Sequence, residues 1–539
     1  MITTKTLASL TIGFAVTVGL ALSPSLAADP LPGKARLNLV FILDGLRPDS
    51  VNPQDTPNIY KLREQGVNYI NGHAVFPTVT RVNTAAISTG TYPETNGILG
   101  NNMYVREVNP TRSFSNDVYA NLVKLDEVTG GKMVLVKSLG ELLEARGLKL
   151  AAVSSAPAGQ ALLLNPRAPQ GVGILVNGYI DPGKLVAHPP KANTDIVSRF
   201  GPAPHKASQT GSEKASVDWT MEVLREYVIP ELKPDVVLAW MSEPDHTQHV
   251  LGVGSPEARE ILQNDDRNIG LILKKLEVLG LVDQTNIFFI SDHGFGLVVF
   301  GVNVNRELIK AGLKAGTNSD DVITVSNGGA VSLHVKDHNA ERIKQIVKFL
   351  QSQEWIGAVF TAGKNQPSGR KDLGSVEGTF SLELIHMFNA DRGPDIVLTF
   401  PWSSSKNPFG VPGTDYTNIT QATGPMKGPV SNHGSMSPWD VRNTFIAWEI
   451  DFKRGSVVRV PASNVDITPT LLALKGINAV KGLEGRVLRE ALNGGPNEEQ
   501  IPAETRTYTT ETSDGKYQAI IEVTEVEQQR YINKSWRVR

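Results

Sequence analysis

The chain has 539 residues, of which 40% are hydrophobic and 20% are charged, and this composition excludes fibrous and disordered proteins. Its formal net charge of −2 gives no overall field for binding nucleic-acid duplexes or acidic membranes, so a small anionic substrate needs cations held locally. The chain has no cysteine, which excludes disulfides, thiolate metal sites and cysteine nucleophiles. His, Asp and Glu remain as metal ligands.

Residues 1–27 have the pattern of a signal peptide. A short, weakly basic start, Met1–Lys5, precedes the apolar run Leu7–Leu22, and Ser25–Ala27 gives a small-x-small cleavage site. The alternative is a membrane anchor, but the apolar run is short for a membrane span. We therefore expect export to the periplasm or the extracellular space. No later segment is long and apolar enough to anchor the mature chain.

Buried strands and helices alternate along the next part of the chain. Continuous apolar runs, which are typical of parallel strands buried on both faces, occupy Leu37–Leu43, Lys149–Ser154, Val236–Met241, Ile287–Ser291 and Ile396–Phe400. Helical patterns lie between them at Pro57–Gln65, Lys137–Arg146, Glu213–Leu232, Glu257–Leu279 and Asn339–Gln351. This alternation predicts an α/β fold with a doubly wound, mostly parallel sheet flanked by helices. Ligands of such sheets bind beyond the carboxyl ends of the strands.

Composition divides the mature chain into a large domain and a short extension. We expect a catalytic domain over residues 36–480, with an insertion at about 364–434 that is rich in Gly, Pro, Ser and Asn. Residues 500–539 favour β structure, with Ser513–Gly515 as a turn, and predict a small C-terminal β appendage.

Six dispersed side chains suggest a site for two metal ions. Asp44 and the pair Asp292-His293 follow predicted strands, and Asp245 and His249 are one helical turn apart. Each of these clusters alone also fits a polar loop with a hydrogen-bonded histidine. Together with His433, they form an Asp/His/His set and an Asp/Asp/His set. Three protein ligands per ion leave positions open for substrate, as a catalytic zinc site requires. Two ions about 4 Å apart can hold both the attacking and the leaving oxygen of an in-line displacement.

At this point the sequence resembles the alkaline phosphatase superfamily, and most closely its nucleotide pyrophosphatase/phosphodiesterase branch. The resemblance spans roughly residues 38–476. The motifs that carry it are, in chain order, Leu43–Arg47, Phe76–Thr80, Thr89–Glu94, Gly97–Asn101, Glu243–His249, Ser291–Gly294 and Asn432–Ser435.

The resemblance implies a role for each matched residue. Thr80 matches the nucleophile, which forms a covalent phospho-threonine intermediate and also contacts metal, and Asn101 matches a residue that holds the phosphoryl oxygens. Thr78 and Thr84 are less favoured nucleophiles. The implied cofactor is two Zn²⁺ ions, although the same ligands accept Mn²⁺ or Fe. One zinc would be held by Asp245, His249 and His433, and the other by Asp44, Asp292 and His293.

The sequence departs from that branch directly after Thr80. The branch usually continues with Phe-Pro-Asn-His, whereas this chain has Arg81-Val82-Asn83-Thr84. Arg81 is therefore either a ligand of a substrate phosphate oxygen or a solvent-facing side chain. The stretch Ser154–Ala161 has no cation for the extra charge of a monoester, and its small residues suggest room for a second ester group. Lys427 and Arg370, in the insertion, are alternative sources of charge.

These features predict an exported hydrolase of phosphodiester or nucleotide pyrophosphate bonds. One alternative is a phosphomonoesterase that uses the same site. A second, of another class, is an exported binding protein without turnover. Release of nitrophenol from bis-p-nitrophenyl phosphate, compared with p-nitrophenyl phosphate and with chelator, distinguishes the three. The sequence does not indicate an oligomeric state.

If the protein is isolated after export, its first residue should be Ala28, because the signal at Ser25–Ala27 directs cleavage there. Mass measurement of the intact exported protein tests this. Ala27→Arg is the control, because a large charged residue at the cleavage site should leave the leader attached. An exported wild-type protein that still begins at Met1 would contradict the prediction.

Overall fold

The structure is a computed structural model that describes residues 33–179, 185–204, 212–363, 372–478 and 480–539. The predicted signal peptide at residues 1–27 lies outside the described residues, as does Arg370.

The described residues form a large main sheet of nine strands. These strands, β1 to β9 in chain order, are Leu37–Leu43, Val67–Tyr69, Leu150–Ser154, Ile174–Asn177, Ala187–His188, Val236–Met241, Thr285–Ile290, Phe445–Trp448 and Ser456–Val458. Their spatial order is β9-β2-β8-β7-β1-β6-β3-β4-β5. The five central strands from β7 to β4 are parallel, whereas β8 and β5 run antiparallel to their neighbours β7 and β4.

The apolar strands of the main sheet are buried on both faces. In β1, Val40 and Ile42 belong to one hydrophobic cluster, whereas Leu39 and Phe41 belong to the cluster on the other face. This alternation follows from the two-residue period of a strand. The first cluster includes side chains from the helices Thr80–Thr89, Leu139–Glu144, Ala158–Leu164 and Ile467–Leu474. The second includes side chains from Pro57–Gln65, Lys214–Val223 and Pro256–Val278. The predicted doubly wound α/β class is confirmed.

The helices begin and end close to the predicted positions. The remaining α-helices are Pro93–Asn96, Tyr119–Val128, Pro190–Phe200, Asp245–Leu251, Val304–Lys310, Ala340–Gln351 and Pro438–Val441. The predicted helix at Glu213–Leu232 has two parts: an α-helix over Lys214–Val223 and a π-helix over Leu224–Leu232 that contains Pro230. Since proline has no N–H to donate, the regular α pattern does not continue through this position.

A second, five-stranded sheet lies outside the main one. It consists of Val322–Asn327, Ala330–Val335, Ile396–Thr399, Val359–Thr361 and Phe380–Ser381, in that spatial order. The prediction that Ile396–Phe400 is a parallel strand of the main sheet is therefore wrong. This strand pairs antiparallel with both of its neighbours. An apolar run shows that a strand is buried on both faces, but it does not show which sheet the strand joins.

The C-terminal appendage is an antiparallel sheet of Ala503–Glu511, Gln518–Val526 and Gln529–Arg537. It shares a hydrophobic cluster with the second sheet through Tyr517 and Ile521.

Part of the segment predicted as an insertion forms a third sheet, in which Pro412–Asn418 pairs with Gly296–Val302. The other strands of the third sheet are Trp402–Lys406, Gly424–Pro425 and Ser431–Asn432. Within the described ranges, no helix has the length and apolar character needed to cross a membrane.

Candidate metal centre and active site

Five of the six predicted ligands lie at or just beyond the carboxyl ends of three adjacent central strands, and the sixth, His433, follows the strand Ser431–Asn432 of the third sheet. Asp44 follows β1, Asp292 and His293 follow β7, and Asp245 begins the helix after β6. His249 is one turn further along that helix, whose range is Asp245–Leu251. Because β7, β1 and β6 are parallel neighbours, their ends meet at one edge of the sheet.

The six side chains form two groups, divided as the sequence predicts. The ligand atoms of Asp245, His249 and His433 lie within 4.8 Å of one another, and so do those of Asp44, Asp292 and His293. The two groups are also adjacent, since His293 Nε2 is 3.9 Å from Asp245 Oδ1 and 3.5 Å from Asp44 Oδ1. The rings of His293 and His433 stack with their centroids 3.6 Å apart. Two neighbouring cations fit this arrangement.

Each carboxylate leaves one buried oxygen without a donor. Asp44 Oδ2 accepts from the indole Nε1 of Trp240 at 3.1 Å, and Asp292 Oδ1 accepts from Gly45 N at 3.0 Å. In contrast, Asp44 Oδ1, Asp245 Oδ1 and Asp292 Oδ2 have no hydrogen-bond partner among the described residues. A buried carboxylate oxygen is costly unless a donor or a cation satisfies it. These three oxygens therefore fit metal ligands.

All three histidines have one ring nitrogen fixed by the backbone. Nδ1 of His249 lies 3.0 Å from Ser431 O, Nδ1 of His293 lies 3.0 Å from Gly294 O, and Nδ1 of His433 lies 2.9 Å from Thr78 O. A carbonyl oxygen only accepts, so Nδ1 carries the proton in each ring. Nε2 of each ring then faces the other ligand atoms, which is the orientation typical of metal-bound histidine.

The electrostatics of the two groups also favour cations. Burial, followed by the charges of Asp292 and Asp245, raises the pKa of the Asp44 carboxyl well above its usual range. Burial and then His293 and His249 hold the pKa of His433 well below its usual value, so its ring is neutral near pH 7. A divalent cation would reverse the repulsion between the carboxylates and would coordinate the neutral ring.

Only one of the three candidate threonines presents its hydroxyl to these groups. Thr80 begins the helix Thr80–Thr89, and its Oγ1 lies 3.3 Å from His293 Nε2. The Thr78 hydroxyl donates to Ser435 O at 2.8 Å, and the Thr84 hydroxyl donates to Thr80 O at 2.7 Å. The hydroxyls of Thr78 and Thr84 are thus occupied by backbone carbonyls.

The structure also fixes the orientation of Asn101. Its Oδ1 accepts a hydrogen bond from the backbone N–H of Arg81 at 2.9 Å. Because that N–H can only donate, the amide nitrogen of Asn101 is on the other side of the group. Nδ2 of Asn101 is therefore available to donate to a substrate oxygen beside Thr80.

Arg81 does not face solvent. Its side chain is 10% exposed and forms an ion pair with Asp117, a residue that no sequence motif marks. Burial lowers the pKa of Arg81, and the charges of Asp44 and Asp245 oppose that shift, so the guanidinium lies within electrostatic reach of both ligand groups. Lys427, in contrast, is exposed.

The prediction that Ser154–Ala161 leaves room for a second ester group is wrong. This stretch is mostly buried and packs beneath the Thr80 helix, where Ser154 Oγ donates to Gln160 and Gln160 Nε2 donates to Thr84 Oγ1. A Cβ atom on Gly159 would lie 2.0 Å from Asn116 O. The small residues therefore allow close packing.

The fold and the paired ligand groups together define an alkaline-phosphatase-like metallohydrolase architecture. The family described as type I phosphodiesterase/nucleotide pyrophosphatase matches residues 38–403. The chain belongs to this family, within the alkaline phosphatase superfamily.

Known relatives are similar over about half of the chain. Venom phosphodiesterase from Naja atra is 30% identical over 260 residues, which are 48% of this chain and 26% of that protein. Ectonucleotide pyrophosphatase/phosphodiesterase family member 3 from Bos taurus is 28% identical over 262 residues, which are 48% of this chain and 24% of that protein. The chain thus matches about a quarter of the length of these relatives.

Solved structures share the fold over a longer range. Murine ectonucleotide pyrophosphatase/phosphodiesterase 5 superposes with a TM-score of 0.54 at 16% identity and covers 82% of this chain and 95% of its own. An inactive threonine-to-alanine variant of that murine protein, in complex with AMP, gives a TM-score of 0.55 at 17% identity, with 83% and 96% covered. These structures support the predicted α/β class.

His433→Ala should lower the metal content from two ions per chain towards one, because its group keeps only two protein ligands. Elemental analysis after metal loading and dialysis measures this. His338→Ala is the control, since that side chain is 76% exposed and pairs with Asp395 away from both groups. An unchanged metal content in the His433 variant would remove this residue from the ligand set.

Proposed function

We propose that the protein is an exported, two-zinc phosphohydrolase that cleaves phosphodiester or nucleotide pyrophosphate bonds. The observation that carries this proposal is the position of the Thr80 hydroxyl, which faces the junction of the two ligand groups at 3.3 Å from His293 Nε2. Membership of the phosphodiesterase family supports the reaction class. The pattern of residues 1–27 supports export.

Asp245, His249 and His433 would hold one ion, and Asp44, Asp292 and His293 would hold the other. When bound, the ions supply positive charge that lowers the pKa of a nearby hydroxyl and offsets charge on the phosphoryl oxygens. A ligand set of imidazoles and carboxylates suits zinc, and manganese or iron also fit it.

Thr80 acts as the nucleophile. Its Oγ forms a bond to phosphorus while the bond from phosphorus to the leaving ester oxygen breaks; the hydroxyl proton passes to solvent, and the leaving oxygen departs with the bonding electron pair. A water molecule then attacks phosphorus, the bond between phosphorus and Oγ breaks, one water proton passes to Oγ and the phosphate product leaves. The helix that begins at Thr80 directs the positive end of its dipole towards the phosphoryl group, which favours the developing negative charge.

Asn101 and Arg81 bind the phosphoryl oxygens that the cations leave uncovered. Nδ2 of Asn101 is a neutral donor held in place by the Arg81 backbone. Nε of Arg81 is buried without a hydrogen-bond partner in the part of the chain that the structure describes, so it can donate to a substrate oxygen. The buried guanidinium is also the observation that favours the second candidate, a phosphomonoesterase, because a monoester carries additional charge.

Thr80→Ala should abolish release of nitrophenol from bis-p-nitrophenyl phosphate, because the variant has no oxygen to attack phosphorus. The metal content should stay near two ions per chain, since each ligand group is intact. Thr78→Ala is the matched control and should retain turnover. Activity in the Thr80 variant that persists after repurification would assign the nucleophile to another residue. A wild-type protein that binds metal but releases nothing would instead favour the binding protein.

Asn101→Ala should lower kcat on the same substrate by about a hundredfold, the usual effect of losing one donor to a developing oxyanion. Asn102→Ala is the control. The Asn102 side chain donates to Ser326 O at 2.8 Å, so its loss removes an amide next to the site without removing the proposed donor. Steady-state kinetics separate kcat from KM. Equal rates for the Asn101 variant and the wild type would refute the assignment.

A further inference from the structure

The ion pair between Arg81 and Asp117 is unequal in its exposure to water. The Arg81 side chain is 10% exposed, whereas the Asp117 side chain is 42% exposed. The Asp117 oxygen that pairs with the guanidinium, Oδ1, is buried, and the rest of the Asp117 side chain reaches solvent.

Asp117 is held next to the proposed phosphoryl-binding residues by the backbone. Asn116 N donates to Asn101 O at 2.9 Å, and Asn116 Nδ2 donates to Gly100 O at 2.8 Å. On the other side, Gly159 N donates to Asp117 O at 2.9 Å. These bonds tie Asp117 to the loop that carries Asn101 and to the helix Ala158–Leu164 packed beneath Thr80. The pairing with Arg81 is thus built into the fold at a fixed position.

The pair has a direct consequence for the charge of the substrate. A phosphodiester carries one negative charge, and a monoester approaches two above its second pKa of about 6. The guanidinium of Arg81 would attract the additional charge of a monoester, but the Asp117 carboxylate already balances that guanidinium.

We propose that Asp117 is a specificity-determining residue, which by pairing with Arg81 favours singly charged phosphodiesters over doubly charged phosphomonoesters. This inference rests on the proposed function. Asp117 acts through Arg81 as a positioning residue and takes no part in bond breaking. The site retains a buried cation, and the Asp117 carboxylate balances its charge.

The first test compares two substrates with the same leaving group, p-nitrophenyl phosphate and bis-p-nitrophenyl phosphate, at pH 8. In Asp117→Asn, the ratio of kcat/KM for the monoester to kcat/KM for the diester should rise about tenfold, as expected for one partly screened charge. Asp117→Glu keeps the charge and should keep the wild-type ratio. In the Arg81→Met background, Asp117→Asn should change the ratio much less, because the partner charge is absent.

The matched control is Asp126→Asn. Asp126 pairs with Arg167 at 3.1 Å, and both side chains are 22% exposed, so the change removes the same charge from an ion pair outside the proposed site. Its substrate ratio should equal that of the wild type. If kcat/KM falls equally for both substrates in Asp117→Asn, the proposal is overturned, because this result would show that Asp117 only maintains the structure. An unchanged ratio would overturn it as well.

A second measurement does not depend on turnover. In the Thr80→Ala background, Asp117→Asn should bind inorganic phosphate about tenfold more tightly at pH 8, because the second charge of phosphate then meets an unopposed guanidinium. Calorimetric titration of the metal-loaded proteins gives the affinities. If the wild type hydrolyses neither ester, the proposed function fails, while the phosphate titration still tests Asp117. Equal phosphate affinities with normal turnover would overturn the role of Asp117 alone.

Discussion

The convergence of three carboxylates, each with a buried oxygen, is the constraint on which the site depends. Asp44, Asp245 and Asp292 each direct an oxygen without a donor, among the described residues, into one small region. Like charges at this range repel strongly when water is excluded. Hydrogen bonds from Trp240 and Gly45 satisfy only the other oxygen of Asp44 and of Asp292. The arrangement is therefore costly for the chain alone and becomes favourable when cations lie between the carboxylates.

The fold holds this arrangement in place because most of the ligands follow strands of the main sheet directly. Three adjacent parallel strands end at the site, and each histidine ring is fixed through Nδ1 by a carbonyl. His433 is further from the main sheet, and the chain after it contacts the C-terminal sheet, where Ser535 N donates to Met436 O at 3.1 Å. The appendage thus supports the loop that delivers one ligand. Ligands held by packed elements and backbone bonds keep the geometry that in-line displacement needs.

The sequence predicts the central strands from local signals, and its family motifs predict that the six Asp and His side chains lie together in two groups. Asp44 directly follows the apolar run Leu37–Leu43, so the same short segment predicts both the strand and the position of the carboxylate at its end. The placement of Ile396–Thr399 and the ion pair of Arg81 depend on contacts between distant segments. Arg81 and Asp117 are 36 positions apart, and no motif joins them. A pattern of residue types therefore identified Arg81 as a candidate but could not show which way its side chain points.

Position 81 carries a charge where the resemblance implies an aromatic ring. In the nucleotide pyrophosphatase/phosphodiesterase branch that the sequence resembles, this position is usually phenylalanine, whose ring offers apolar area for stacking. Here a guanidinium occupies it, buried next to Thr80 in the chain and paired with the carboxylate of Asp117. Charge interactions in a poorly hydrated site discriminate between anions more strongly than between bases. Under the proposed function, substrate selection by this part of the site therefore acts on the phosphoryl group, and a preference for a particular leaving group would come from other residues.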